Sequence, residues 1–208
     1  MRILYPRNER KIYYFAFGAN LSPDILDLRK IRTYETFDFV LEKATLNFTQ
    51  LGFYKEHGYA SADASEDEVV YGKMYLITES DARRMDYFEG VPWLRAHDKI
   101  FRDTGQFRFY FYRTRVTYPD LKPTQEYLDY ICNAYRDMEI VPRDYLEDLS
   151  KTEVLEHFEV QDETGVFVTD IDAWPRSLHS ILRLYEGVCL RVVEALWNRS
   201  LLQWAIRY

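Results

Sequence analysis

Two short segments combine residue types that could carry out chemistry. In the first, Phe17-Gly18-Ala19-Asn20-Leu21 joins an aromatic, strand-like run to a helical pattern. A strand that ends in glycine and enters a helix directs consecutive backbone N–H groups outward, and such a turn can bind a carboxylate or a developing oxyanion. Taken alone, the same pattern is more often a plain connection between a strand and a helix.

The second segment, DYFEGV, places Glu89 at the end of a predicted helix. A helix C-terminus disfavours an anion, because its unpaired carbonyl groups carry partial negative charge. If Tyr87, Phe88 and Trp93 surround the side chain, we expect burial to raise the pKa of Glu89 and to make it a usable general base. The more common alternative is a solvated glutamate before a glycine that ends the helix.

Other catalytic signatures are absent from the sequence. It contains no GxSxG, HExxH, P-loop or GxGxxG pattern, no CxxC pair and no histidines at ligand spacing. We therefore expect neither a metal nor a cofactor. We also expect Cys132 to be a buried, inert residue and Asp86 to be a helix-end residue rather than a second catalytic acid. The four histidines are His57, His97, His157 and His179.

The elements that must position the two segments are strands with helices between them. We expect strands at 11–17, 69–77, 99–102 and 107–116, weaker strands at 44–49 and 59–64, an acidic turn at 66–68 and an interruption at Gly72. We expect helices at 22–31, 78–88, 124–138, 142–149 and 177–208, with Ser22 and Thr78 as N-caps and with Pro142 in a first turn. Because the helices do not follow a regular βαβ repeat, the pattern predicts an α+β fold with a mixed or largely antiparallel, curled sheet.

Composition narrows the class of protein. The chain has 208 residues and is 47% hydrophobic, which is enough for a sizeable core. Its net charge of −7 and the absence of a long basic run disfavour nucleic-acid binding. No apolar run reaches the ~18 residues of a membrane span, and the N-terminus does not resemble a signal peptide. We therefore expect a cytoplasmic protein that binds neither nucleic acid nor membranes.

Three segments, in order, resemble the γ-glutamylcyclotransferase-like family. FAFGANLS resembles that family's YGSN-type opening, EVVYGKMYLIT with MDYFEGV resembles its Gly-containing strand and D-x-x-E-G segment, and PTQEYLDYICNAYRDMEIVPRDYLEDL resembles its later helical region. The resemblance covers roughly residues 11–150 and implies a curled sheet or small barrel with flanking helices. We expect this domain to span residues 1–155. Residues 156–208 would form a helical extension that packs on this domain. In this chain Ala19 and Phe17 replace the usual serine and tyrosine.

The resemblance also implies a reaction and roles for the residues. The substrate's own α-amine attacks its γ-carbonyl and releases 5-oxoproline, with Glu89 as general acid and base. Gly18 would permit close backbone approach and Asn20 would brace the turn. The substrate-binding set implied in this way is Phe17, Gly18, Ala19, Asn20, Leu21, Tyr127 and His97, with Tyr127 bonding either the substrate or Glu89.

The sequence also leads to expectations about the substrate and the oligomeric state. The family resemblance implies a small γ-glutamyl substrate, and the changed first motif and the extra C-terminal segment suggest a specialised one. The chain also resembles enzymes that trim γ-glutamyl groups from glutathione-derived adducts in fungal secondary metabolism, which implies such adducts as substrates. We expect a monomer or a homodimer. The alternative is a non-catalytic module that binds a small molecule or partner on the same fold, and an unrelated metal-dependent amide hydrolase is a remote third possibility.

Overall fold

The computed structural model describes residues 9–157 apart from 53, 90 and 92–96, together with the single positions 177 and 181. The predicted helix at 177–208 and the predicted extension at 156–208 therefore lie almost entirely outside the described residues. Leu155, just before that boundary, is buried, and its N–H donates to the carbonyl oxygen of Pro123.

One five-stranded sheet forms the centre of the described chain, with the strand order β2-β3-β1-β5-β4. The strands are β1 (Lys11–Ala16), β2 (Glu35–Leu51), β3 (Gly58–Thr78), β4 (His97–Asp103) and β5 (Arg108–Thr114). Strands β1 and β5 run parallel and the other neighbouring pairs are antiparallel. The sheet is curled and unclosed, which confirms the mixed, largely antiparallel prediction and leaves the small barrel unformed.

Strands β2 and β3 are much longer than the sequence pattern indicates. The weak segments predicted at 44–49 and 59–64 are parts of these strands, which pair along nearly their whole length. The predicted turn at 66–68 is wrong, because the chain continues through it within β3. The acidic residues instead lie where the pairing register shifts, between Glu42 and Ala44 of β2. Cross-strand pairing on the neighbouring segments overrides the low strand propensity of Glu and Asp there.

Gly72 does not interrupt its strand, contrary to the sequence prediction. It pairs with Phe39 in the middle of the β2–β3 ladder. A Cβ at this position would lie 2.2 Å from the carbonyl oxygen of Ala16 and 2.7 Å from the ring of Phe15. Glycine is therefore needed here because β1 approaches β3 too closely for any side chain.

The helices begin where the sequence places their caps. The elements are a 3₁₀ turn at Ala19–Leu21, α1 (Pro23–Leu28), α2 (Glu79–Phe88), α3 (Gln125–Arg136) and α4 (Arg143–Ser150). The side chains of Ser22, Thr78 and Thr124 each accept a hydrogen bond from a backbone N–H of the first turn. Pro142 is the N-cap of α4 and does not lie inside its first turn.

Helix α1 ends three residues earlier than predicted, in a Schellman motif. Lys30 takes a positive φ of 56°, the N–H of Ile31 donates to Leu26 O (2.8 Å) and the N–H of Lys30 donates to Asp27 O (2.9 Å). Ile31 also packs with Leu26 in one core cluster, as the motif requires. Arg29 is left as the C-cap residue of the helix.

The core divides into three clusters around the sheet. One contains residues of α1 and α2 on one sheet face, and another holds α3 against the 3₁₀ turn, with Leu21, Leu128 and Ile131 fully buried. The remaining cluster contains Phe109 and Phe111, with Phe107 packed against it, which confirms that these three rings share a face. Cys132 is buried as expected, and burial raises the pKa of its thiol. Within the described part of the chain, no helix has the length and apolar character to cross a membrane.

The close approach at Gly72 yields a stability prediction. We expect Gly72→Ala to lower the free energy of unfolding by about 3 kcal/mol or more, because backbone on β1 would have to move. Gly105→Ala is the matched control: no atom lies within 4 Å of its Cβ position, and its φ of 82° gives a cost of about 1 kcal/mol. Urea unfolding of both variants measures the difference, and equal losses would contradict the packing explanation.

Candidate active site

A cavity of about 260 Å³ opens where β1 ends, and both segments singled out from the sequence line it. The predicted residues at its surface are Phe17, Gly18, Ala19, Asn20, Glu89, His97 and Tyr127. Phe88, expected as a neighbour of Glu89, also lines the cavity. The lining residues that the sequence did not indicate are Tyr14, Arg29, Gln50, Tyr59, Ala60 and Tyr112. The folded chain therefore brings together nearly all of the predicted site and adds a cation to it.

Glu89 and Arg29 meet at the ends of two helices. Glu89 directly follows α2, and the bond from the N–H of Val91 to Asp86 O (2.8 Å) is the six-to-one bond of a Schellman ending. Arg29 caps α1, where a cation is favoured by the helix dipole. Arg29 Nη1 lies 2.8 Å from Glu89 Oε1, and the two side chains are only 16% and 15% exposed. The unfavourable position of an anion at a helix end is thus compensated by the guanidinium.

Asn20 joins this ion pair to the turn after β1. Its Nδ2 donates to Glu89 Oε1 (3.0 Å) and to the hydroxyl of Tyr14 (2.7 Å), and its Oδ1 accepts from Arg29 Nη1 (2.8 Å). All three polar groups of the junction therefore bond one another. The prediction that Asn20 braces the turn describes only part of what this side chain does, because it also fixes the carboxylate.

The predicted rise in the pKa of Glu89 is wrong. Burial does raise this pKa, but the charges of Arg29 and His97 and the hydrogen bonds from Asn20 and Arg29 outweigh it. The net effect holds the pKa below its ordinary value. The sequence argument failed because it surrounded Glu89 with aromatic rings, whereas Phe88 is 43% exposed and stacks on the guanidinium of Arg29. Trp93 lies outside the described residues.

Three tyrosine hydroxyls hold the turn after β1 in place. They come from Tyr135, Tyr130 and Tyr75 and lie 3.0, 2.9 and 2.9 Å from the carbonyl oxygens of residues 17, 19 and 21. The single proton of Tyr135 is shared with a second acceptor, the carbonyl oxygen of Tyr71 at 2.8 Å. In a trans peptide the N–H points opposite to the C=O, so these bonds also fix the N–H groups of Gly18 and Asn20. Neither N–H has an acceptor among the described residues, and both residues line the cavity. They are the donors that the sequence predicted for this turn.

Leu21 differs from the other residues of the predicted set. It does not line the cavity, and its N–H already donates to Gly18 O (3.0 Å) within the 3₁₀ turn. Its side chain is 1% exposed and belongs to the cluster beneath α3. In this geometry its backbone closes the turn and is not available to a ligand.

Tyr127 reaches the cavity from α3. Its hydroxyl accepts from the N–H of Ala60 (3.4 Å) and lies 3.3 Å from the place that a Cβ on Gly18 would occupy. The absence of a side chain at residue 18 therefore makes room for this hydroxyl. Tyr127 makes no hydrogen bond to Glu89. Of its two predicted roles, contact with a substrate therefore stays a prediction. Burial raises the pKa of Tyr127 well above its usual value, and its hydroxyl stays neutral.

His97 supports the backbone at Glu89. Its Nδ1–H donates to the carbonyl oxygen of Glu89 (2.7 Å), and its Nε2 lies 2.9 Å from Gln50 Oε1. Nδ1 is also 3.7 Å from Glu89 Oε2. This residue therefore ties the end of α2 to β2, a supporting role that the sequence did not indicate. Its predicted role in binding a substrate stays a prediction.

Asp86 is occupied by structural partners, in agreement with its interpretation as a helix-end residue. It accepts hydrogen bonds from Lys99 Nζ (2.9 Å) and from the hydroxyl of Tyr112 (2.6 Å). In the part of the chain that the structure describes, no three His, Cys, Asp or Glu side chains are grouped as they would be to hold a metal ion.

Solved structures share this arrangement of elements. One, a gamma-glutamyl cyclotransferase, superposes with a TM-score of 0.58 at 20% identity and covers 79% of this chain and 100% of that chain. An uncharacterized protein from Homo sapiens gives 0.58 at 21%, covering 80% of this chain and 100% of that chain. YkqA from Bacillus subtilis gives 0.55 at 18%, covering 69% and 54%.

Sequence comparison alone adds nothing to this structural likeness. No family model matches the sequence, and no curated protein matches it significantly. At identities of 18–21% the likeness to solved structures is a statement about fold. It confirms at that level the resemblance seen in the three sequence segments. The chain therefore has the γ-glutamylcyclotransferase fold.

Proposed function

We propose that this protein is a γ-glutamylcyclotransferase-type enzyme that releases 5-oxoproline from γ-glutamyl amides. The observation that carries the proposal is the junction between the two segments: Asn20 of the turn donates to the carboxylate of Glu89 (3.0 Å) at the surface of one cavity. A buried carboxylate beside fixed, unused backbone N–H groups is the minimum that this reaction needs. The fold shared with a gamma-glutamyl cyclotransferase supports the same proposal.

The chemistry requires little from the protein because the nucleophile belongs to the substrate. The α-amine of a γ-glutamyl group reaches its own γ-carbonyl carbon and closes a five-membered lactam, whereas the same attack on an α-linked amide would make a three-membered ring. Holding the amine about 3 Å from that carbon contributes several kcal/mol to the rate. The C–N bond of the amide then breaks, and the leaving amine departs with a proton.

Glu89 is the base and then the acid in this scheme. A substrate α-amine is mostly protonated at neutral pH, since its reference pKa is about 8. The ionised carboxylate takes one proton from this ammonium group, and the resulting acid gives it to the leaving amine. The attacking nitrogen loses a second proton after ring closure, when it becomes the lactam N–H, and the released amine takes up that proton. The N–H groups of Gly18 and Asn20 stabilise the negative charge that develops on the carbonyl oxygen, and one such donor is typically worth about 3 kcal/mol.

The size of the cavity suggests which part of the substrate lies inside it. About 260 Å³ accommodates a γ-glutamyl group, and a bulky leaving group would extend beyond it. We therefore propose that the bulky part of a glutathione-derived adduct is recognised outside the described lining. A panel of γ-glutamyl dipeptides and glutathione conjugates assayed for 5-oxoproline ranks these substrates directly, and a preference for free dipeptides contradicts the adduct proposal.

A non-catalytic binding module remains the second candidate, and one observation favours it. An unpartnered carboxylate in an apolar pocket would be costly to keep without a function. Here Arg29 and Asn20 compensate the charge of Glu89, so its burial alone does not require catalysis. Ligand binding without any release of 5-oxoproline would establish this candidate in place of the enzyme.

Replacing the carboxyl group tests the assigned base. We expect Glu89→Gln to lower kcat by about 10²- to 10⁴-fold, because the amide has the same shape but cannot accept the proton. Glu42→Gln, on the exposed side of β2, is the matched control and should keep wild-type activity. Thermal melting of both variants checks that each remains folded. Retention of activity by a folded Glu89→Gln would exclude the assignment.

The ion pair leads to a pH prediction. In the wild type the pKa of Glu89 is lowered, so the carboxylate stays charged until the pH falls below the ordinary glutamate range. Arg29→Met removes the largest of the effects that lower this pKa, and burial should then move the titration midpoint to higher pH. Carbon-13 NMR of the Glu89 carboxyl in the ligand-free protein measures it. Arg32 is an exposed cation on the same connection, and Arg32→Met is the control that should leave the midpoint in place. An unshifted midpoint in Arg29→Met would refute the electrostatic explanation.

A further inference from the structure

Arg29 uses only part of its hydrogen-bonding capacity. One nitrogen, Nη1, makes every polar contact of the side chain: with Glu89 Oε1 (2.8 Å), with Asn20 Oδ1 (2.8 Å) and with Met85 Sδ (3.4 Å). A guanidinium carries five N–H groups, and those on Nε and Nη2 have no acceptor among the described residues. Arg29 nevertheless lines the cavity and is mostly buried.

The unused edge has the shape of a carboxylate receptor. The N–H groups of Nε and Nη2 lie side by side and parallel, which matches the two oxygens of a carboxylate. The plane of the guanidinium is also supported, because its Cζ lies 4.9 Å above the centre of the Phe88 ring. One face of the guanidinium packs on the Phe88 ring, and the N–H groups on one of its edges have no acceptor among the described residues. A guanidinium held in this way is prepared to bind a planar anion.

The charges around the cavity complement the head group of an α-amino acid. Glu89 supplies one negative charge and Arg29 one positive charge, in contact at 2.8 Å. The α-carbon of a γ-glutamyl group carries an ammonium and a carboxylate with the same close spacing and opposite signs. A ligand that lacked its carboxylate would place a lone cation beside Arg29, which is electrostatically unfavourable.

We propose that Arg29 binds the α-carboxylate of the substrate through its Nε–H and Nη2–H edge, so that the site accepts γ-glutamyl compounds whose α-carboxylate is free. This rests on the proposed function. It also divides the donors of the cavity between two anionic groups. Arg29 takes the carboxylate, and the N–H groups of Gly18 and Asn20 are left for the carbonyl oxygen that becomes negatively charged.

A second consequence concerns the base. When Arg29 shares its charge with an incoming carboxylate, its hold on Glu89 weakens. The carboxylate of Glu89 then becomes more basic at the moment when the substrate's ammonium group lies beside it. Arg29 would thus keep Glu89 ionised before substrate binds, and would allow Glu89 to accept a proton once the substrate carboxylate is in place.

The test compares two substrates that differ in one group. L-γ-Glutamyl-L-alanine and the analogue whose glutamyl α-carboxylate is a carboxamide are assayed for lactam release with the wild type, Arg29→Met and the control Arg32→Met. We expect the wild type to prefer the carboxylate by about 10²-fold in kcat/KM, which is the size of two charge-assisted hydrogen bonds. In Arg29→Met the ratio of the two kcat/KM values should fall to near one, mainly because KM rises for the substrate that carries the carboxylate.

Taking the ratio removes the effect of Arg29 on the base. The effect that Arg29 has on the basicity of Glu89 without a carboxylate bound is common to both substrates, and it therefore cancels when their kcat/KM values are divided. The gain in basicity that only the carboxylate produces stays in the ratio and belongs to the inference under test. Arg32→Met should keep the wild-type ratio. A wild type without preference, or a preference that survives in folded Arg29→Met, overturns the inference.

Binding measurements separate this inference from the proposed reaction. If the wild type releases no 5-oxoproline-type lactam from either substrate, the proposed function fails. Affinities for L-glutamate and L-isoglutamine, whose α-carboxylate is a carboxamide, are then measured by NMR titration. Tighter binding of glutamate that disappears in Arg29→Met supports the carboxylate site by itself, and equal affinity of the wild type for both ligands overturns it.

Discussion

The buried contact between Glu89, Arg29 and Asn20 is the interaction on which the rest of the site depends. A carboxylate and a guanidinium that are each about 85% removed from solvent tolerate burial only because they are paired and hydrogen-bonded, at 2.8 and 3.0 Å. The pair brings the ends of α1 and α2 together and anchors both to the turn after β1. Removing any of the three side chains would leave a buried polar group without its partner, so the shape of the cavity and its charge are determined together.

The tyrosine content of the chain acquires a specific meaning in this context. Tyr135, Tyr130 and Tyr75 extend from α3 and β3 and bond the carbonyl groups of the turn. Tyr135 and Tyr75 bury their rings in the core, and Tyr130 packs half-buried against it. Each delivers a hydroxyl at the edge of its ring, which a phenylalanine could not do. The core therefore both stabilises the fold and sets the direction of the backbone N–H groups that face the cavity.

Local signals account for most of what the sequence predicted correctly. The caps at Ser22 and Thr78, the alternation of Phe107, Phe109 and Phe111 and the strand at β1 depend on neighbouring residues, and the structure confirms them. The failures at 66–68 and Gly72 have one cause. Gly72 is paired with Phe39 of β2, and residues 66–68 lie in a register shift between two segments of β3 that are both paired with β2. In each case the long-range pairing of β3 carries the strand onward, and no window of sequence contains the partner strand.

The same distinction separates what the sequence determined about the site from what only the folded chain decided. The residue types and order in FGANL and DYFEGV were sufficient to indicate a backbone donor turn, a candidate base and, through family resemblance, the fold. They could not indicate Arg29, which lies 60 positions from Glu89 and reads as an ordinary cation at a helix end. The protonation of Glu89 was therefore decided by tertiary structure. Its pKa depends on charges within a few ångströms, and those charges are neighbours only in space.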